Sequence, residues 1–149
     1  ISDKIINKDI LDLFAGCGTI GIEALSRGAG TCTFVDKNTN YLKKNLEIIG
    51  LSDKGKIYKE DVFRFIKRAL KENLKYDFIF ADPPYDFNMY IKLLEYIEKN
   101  NILKSEGLFF LEHSKQLNYN NNVKALFLKD MKKFGSTIIS IFKWRNVWK

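Results

Sequence analysis

Five consecutive residues, Ala81-Asp82-Pro83-Pro84-Tyr85, carry the most specific chemistry in the chain. They close an apolar run, Tyr76-Asp77-Phe78-Ile79-Phe80, of the kind that forms a buried strand. Two prolines fix their own φ and supply no N–H, so the turn is stiff and its carbonyls lack local partners. The Asp82 carboxylate and a nearby backbone C=O thus present acceptors beside the flat ring of Tyr85. An exocyclic amine on a nucleobase is the complement, with two N–H donors and a ring that stacks. A tight loop after a strand also uses such a sequence, and the rest of the chain has to decide between the two.

A second group of residues reads as a ligand cradle. Gly16, Gly18 and Gly21 follow the apolar run Ile10-Leu11-Asp12-Leu13-Phe14, Asp36 ends the run from Thr31, and Asp61 follows Lys56 to Tyr58. Glycines at 16 and 18 let a backbone turn sharply and approach a ligand, and the helix that follows offers its free N–H groups. An acid closing the second strand is placed to take both hydroxyls of a ribose. Asp61 is placed to accept from an adenine amine. The Gly-x-Gly-x-x-Gly spacing also fits a dinucleotide, but Asp12 inside the first strand argues against a pyrophosphate and for a cation such as a sulfonium or ammonium. The plainer role for Asp12 is to cap a helix or loop.

Strands must hold these groups at one end of a sheet. The pattern predicts strands at Ile10–Phe14, Thr31–Val35, Lys56–Tyr58, Tyr76–Ala81 and Gly107–Glu112. Helices fall between them: Thr19–Ser26, a second capped by Asn38 or Thr39 and ended by Gly50, Val62 to about Glu72, and Asn88–Glu98. Val123–Lys133 and Thr137–Trp144 then follow as two strands with no helix between them. Alternation implies an α/β fold, doubly wound, with a mostly parallel seven-stranded sheet that ends in an antiparallel hairpin. In such sheets ligands sit at the carboxyl ends of the strands, where Asp12, Asp36, Asp61 and Asp82 fall.

The 149 residues make one domain, 1–149, with a hydrophobic content of 46% and a formal charge of +7. The charge favours a polyanionic partner. Five basic side chains between Arg64 and Lys75 face only Glu72, and the end of the chain interleaves Lys143, Trp144, Arg145, Trp148 and Lys149. Charge runs are more often solvated faces than binding sites, and Trp144 suits burial at a sheet edge. Cys17 and Cys32 lack metal-ligand spacing and read as small packing residues of a reducing, cytoplasmic protein. No apolar run is long enough to span a bilayer, and neither a membrane nor a metal is expected. His113, the single histidine, suits a structural or substrate-side polar role better than catalysis.

Asp12-Leu13-Phe14-Ala15-Gly16-Cys17-Gly18-Thr19-Ile20-Gly21, with Glu23-Ala24-Leu25-Ser26-Arg27-Gly28-Ala29, resembles the first motif of the bacterial 16S rRNA guanine-N2 methyltransferases. Phe34-Val35-Asp36, Asp82-Pro83-Pro84-Tyr85, Glu112-His113-Ser114 and Lys133-Phe134-Gly135-Ser136-Thr137 continue the resemblance in the same order. It implies a Rossmann-like methyltransferase sheet, S-adenosylmethionine as cofactor, and ribosomal RNA or the small ribosomal subunit as partner of a monomer. It places Asp12, Phe14, Gly16, Gly18, Asp36 and Asp61 on the cofactor and Asp82, Pro83 and Tyr85 at the reacting amine. Members of that family carry a basic segment ahead of the first strand, and the present sequence has nine residues before Ile10, so that segment is expected to be missing. The implied chemistry is direct methyl displacement. Acceptance of both N–H bonds by Asp82 and the Pro83 carbonyl aims the nitrogen lone pair, and positioning and electrostatics supply the acceleration. DNA adenine N6 is an alternative substrate for the same motif, and a non-catalytic nucleotide-binding or assembly module is an alternative use of the same fold.

Overall fold

A computed structural model describes residues 3–84, 87–114 and 123–145, with Phe87 through its backbone alone. The strands are β1 (Asp9–Leu13), β2 (Thr31–Asp36), β3 (Gly55–Lys59), β4 (Tyr76–Ala81), β5 (Leu103–His113), β6 (Leu126–Phe134) and β7 (Thr137–Trp144). The α-helices are α1 (Thr19–Ser26), α2 (Leu42–Ile48), α3 (Val62–Lys71) and α4 (Phe87–Asn100). A single sheet runs β3-β2-β1-β4-β5-β7-β6. Pairing is parallel from β3 to β5, and β7 and β6 are antiparallel. Strand order reverses between β1 and β4, which puts a crevice at their carboxyl ends. The doubly wound expectation holds.

Strand side chains alternate between two cores. Leu11, Leu13, Ile79 and Leu111 face α3 and α4, which bring Phe65, Ile66, Leu93 and Ile97. Ile10, Phe34, Phe78 and Phe110 face the other side with Leu25, Leu42 and Leu46. Every one of these side chains is buried, and truncating a large one such as Phe34 costs roughly 3–5 kcal/mol. Helix α3 shows how the sequence sets this pattern. The Asp61 carboxylate caps it by accepting the Arg64 N–H at 3.1 Å, while Val62, Phe63, Phe65, Ile66 and Ala69 are buried. At the end of the sheet away from the crevice, Lys104 Nζ bridges Asp9 and Asp77 at 3.1 and 3.0 Å and ties β1, β4 and β5 together.

Several predicted boundaries move, and three of the shifts have a local reason. Helix α2 starts at Leu42 without a side-chain cap, because the Asn38 side chain accepts the Asn40 N–H in a turn of its own. Strand β5 starts at Leu103, ahead of Gly107, because its pairing with β4 tolerates an irregularity between Tyr76 and Phe78. Strand β6 starts at Leu126 and not at Val123. Glu98 Oε2 of α4 accepts the N–H groups of Lys124, Ala125 and Leu126 at 3.0, 2.7 and 3.0 Å, so these donors serve a carboxylate instead of a strand partner. Charge-assisted bonds of this kind set the entry to the hairpin. Glu98→Ala is expected to lower stability by about 1–3 kcal/mol, read from the denaturant midpoint. An unchanged midpoint would show that water serves these N–H groups equally well.

Candidate active site

The crevice at the β1/β4 reversal is rich in acid. A cavity of about 410 Å³ is lined by Asp36, Asp61 and Asp82 against Lys37, with Phe14, Phe63, Pro84 and Met89 as its apolar walls. Each acid is delivered by a strand end or the loop just after it. Phe14, the residue after β1, has φ +57°, a left-handed conformation that costs a side-chain-bearing residue on the order of 1–2 kcal/mol. That turn swings the chain out of the sheet and leaves the ring on the cavity wall. No local pattern predicts that turn at a phenylalanine.

The glycines of the first loop divide their work. Gly16 has φ +59° and open space where a Cβ would stand, so its backbone is accessible to a ligand. Its N–H donates to Asp36 Oδ2 at 2.8 Å. Gly18, at φ +88°, has no such opening: a Cβ there would lie 2.2 Å from Leu42 Cδ1. Its role is the turn into α1 and the packing beneath it. Gly21 is likewise closed in, with Phe34 and Cys32 where a Cβ would go. The shared glycine spacing therefore reflects close packing of α1 on the sheet as much as ligand contact, which is why spacing alone did not separate cofactor classes.

Asp36 holds the loops around it, accepting from Gly16 with one oxygen and from Asn38 N–H at 2.9 Å with the other. Each oxygen keeps a second lone pair for a ligand. Asp61 divides between the α3 cap and Lys37, whose Nζ lies 3.8 Å from Oδ1. Asp12 is buried and accepts the Gly21 N–H in the first turn of α1 at 3.1 Å, so it does brace the helix start. Burial pushes its carboxyl up to about 7; the Gly21 N–H opposes this, and the charges of Asp36 and Asp82 add to it. Acids gathered in this way favour a cationic ligand among them and disfavour a pyrophosphate. The residues present thus fit a sulfonium cofactor bearing an ammonium group.

Asp82 is exposed at the end of β4, and Pro83 beside it is buried. Tyr85 lies outside the described residues. A feature the motif did not disclose is Glu112. It stands on β5 one position beyond the pair Ala81–Leu111, and burial together with the neighbouring Asp82 pushes its carboxyl up from the ordinary value. Glu112 lines a second cavity of about 420 Å³, with Phe80, Phe110, Phe134, Ile139 and Lys132 among its walls. The Phe80 and Phe110 rings stack there at 4.7 Å. Asp82 lines the first cavity, and Glu112, its neighbour on β5, lines the second. One signal in the sequence could have found this, since Glu112 closes the apolar run predicted as the fifth strand.

Other expected residues resolve differently. His113 is the last residue of β5, not a position past it, and its Nε2 pairs with Ser140 Oγ of β7 at 2.7 Å. It joins two strands. Arg68 turns inward to ion pairs with Glu60 and Glu72 and over the Tyr58 ring, whereas Arg64, Lys67 and Lys71 are exposed. Trp144 donates from Nε1 to the Leu103 carbonyl at 2.9 Å, as edge packing requires. Trp148 and Lys149 lie outside the described residues. Cys32 is buried and Cys17 exposed, both free. No described helix is long and apolar enough to cross a membrane.

The conserved hypothetical protein 95 family model matches residues 1–143. A putative rRNA methyltransferase, YlbH, of Bacillus subtilis is 35% identical over 139 residues, covering 91% of this chain and 76% of the relative. The ribosomal RNA small subunit methyltransferase D of Haemophilus influenzae is 34% identical over 115 residues, 74% of this chain and 59% of its own length. The chain thus spans about three fifths to three quarters of the curated relatives it matches. Among solved structures, a putative methylase from Haemophilus influenzae superposes with a TM-score of 0.82 at 29% identity, covering 97% of this chain and 91% of that one. A putative methyltransferase complexed with SAH shares the fold, with a TM-score of 0.77 at 19% identity over 93% of this chain and 46% of that one.

Proposed function

The chain belongs to the conserved hypothetical protein 95 family, and on that premise we propose that it transfers a methyl group to the exocyclic N2 amine of a guanine in small-subunit ribosomal RNA. The observation that carries this reading is Asp82, an exposed carboxylate at the end of β4 that lines an acid-lined cavity, while Ala81 before it and Glu112 on the next strand line an aromatic-walled one. The first suits the cofactor and the second a flat base. Gly16, Asp36 and Asp61 hold the cofactor's nucleoside side, and Asp12 and Phe14 shape the loop around its charged end. When bound, S-adenosylmethionine supplies an electrophilic methyl group.

The chain's own residues do the rest. The lone pair of a guanine amine is delocalised into the ring, so the nitrogen is a weak nucleophile. Asp82 and the Pro83 carbonyl each accept one N–H bond, which turns the lone pair out of the ring plane and toward the incoming methyl. Tyr85 stacks on the base. The substituted nitrogen is far more acidic than the amine it replaces, and Asp82 receives its proton. Little general base strength is needed, and most of the acceleration comes from orientation and fixed charge.

The experiment joins calorimetry to a tritiated-methyl transfer assay. S-adenosylmethionine should bind and NADH should not. Label should enter small ribosomal subunits as N2-methylguanosine, with none entering DNA. NADH binding with no response to S-adenosylmethionine overturns the cofactor, and label in DNA adenine moves the substrate to the alternative named above.

A further inference from the structure

Methyl transfer to an amine needs only one carboxylate, Asp82, yet the structure places a second carboxyl beside it. Asp82 and Glu112 follow the last parallel pair of β4 and β5, Ala81 and Leu111, by one step each, which sets their side chains next to one another on one face of the sheet. We propose that Glu112 is a specificity-determining residue that accepts the ring N1–H of the target base while Asp82 accepts from the adjoining amine. This rests on the function proposed above.

Guanine presents two neighbouring donors on its pairing edge, the ring N–H and the amine, followed by a carbonyl oxygen. Adenine presents an amine beside a bare ring nitrogen, which is an acceptor. Flipped or single-stranded bases are read on this edge. Side by side, two carboxylates match guanine's donor pair and oppose adenine's acceptor. Lys132 extends the match. It lines the same cavity from β6, across β7 from Glu112, where it pairs with Ile139, the residue opposite Glu112. In sheet order the polar groups run acceptor, acceptor, donor, the complement of guanine's amine, ring N–H and carbonyl. Phe80, Phe110 and Phe134 give the cavity flat aromatic surface, and Phe134 is 60% exposed.

Burial raises the Glu112 carboxyl from its ordinary value, and the neighbouring Asp82 adds to it. Two N–H donors of a base edge, one for each acid, relieve that crowding of acceptors.

The test compares two acceptors that carry the same reacting amine. An RNA fragment bearing the guanine mapped by the transfer assay is synthesised with guanine, or with 2,6-diaminopurine, at that one position. Diaminopurine keeps the 2-amine but has an acceptor at N1. The unaltered enzyme should prefer guanine by about 10²-fold, since a buried acceptor facing an acceptor is strongly disfavoured. Glu112→Gln, whose amide can donate to N1, should shrink that preference at least tenfold, partly by raising the diaminopurine rate. Glu112→Ala should shrink it in the same direction. If Glu112 merely braces Asp82, both rates fall by one factor and the ratio stays; that result overturns the proposal, as does an unchanged ratio with unchanged rates. Failure of the unaltered enzyme to methylate any guanine is a separate result that overturns the function and this inference together.

Discussion

Replacing Asp82 by alanine is expected to cut methyl transfer by about 10²–10³ while leaving S-adenosylmethionine affinity within about threefold, because one aimed electrostatic contact at a reacting centre has that scale. The geometry separates the two effects. Asp82 is exposed at the lip of the acid-lined cavity, where solvent screens its pull on a cationic cofactor. At the amine it supplies the charged acceptor, and the Pro83 carbonyl beside it carries no charge. Asp82→Asn keeps one acceptor oxygen and loses the charge, so it should be impaired yet faster than alanine. The measurements are single-turnover transfer on small ribosomal subunits and calorimetric titration of the cofactor. Wild-type transfer by a folded Asp82→Ala enzyme would reduce Asp-Pro-Pro-Tyr to a stiff turn.

A second large effect is expected from pH. Asp12 ordinarily titrates as a carboxylate near 3.9 when unfolded. In the fold, burial pushes it up to about 7, with Gly21 pulling down and Asp36 and Asp82 pushing further up. Between these values the folded chain keeps a proton that the unfolded chain has released. Native protein binds more protons there, so stability falls as pH rises from about 4 to about 7 and then levels off. The full span corresponds to a loss on the order of 4 kcal/mol at most. Asp12→Asn keeps an acceptor for the Gly21 N–H and cannot ionise, so its melting temperature should lack this decline and exceed that of the parent above pH 7. A cationic cofactor reverses the preference by favouring ionised Asp12. Its binding should therefore release a proton below pH 7 and tighten as pH rises toward 7, and Asp12→Asn should lose that slope. Calorimetry in two buffers of different ionisation heat reads the proton directly. A parent and variant with the same pH slope would show that Asp12 stays ionised throughout.

Much of this protein was fixed by local sequence. The alternation of short apolar runs with amphipathic stretches determined the strands, their parallel arrangement and the closing hairpin, because each periodicity fits only one way of burying its face. Helix α1 fell on Thr19–Ser26, between the glycines that bound it. The Asp-Pro-Pro sequence also announced itself, since proline's constraint acts on its own backbone. What depended on neighbours across the sheet was not legible. Gly18 looked like a ligand glycine until Leu42 closed over it, and Asp61 proved to be a helix cap as well as a cavity wall. Phe14's left-handed turn, the three N–H groups gathered by Glu98 and the shift of Asp12 all arise from contacts between segments distant in sequence. Glu112 lies thirty positions from Asp82 along the chain, and only the parallel register of β4 and β5 brings their carboxyls together. Residue type and spacing determined which groups could do chemistry. Tertiary structure decided which of them act on one another, because electrostatics and desolvation depend on distance and burial, which no local pattern encodes.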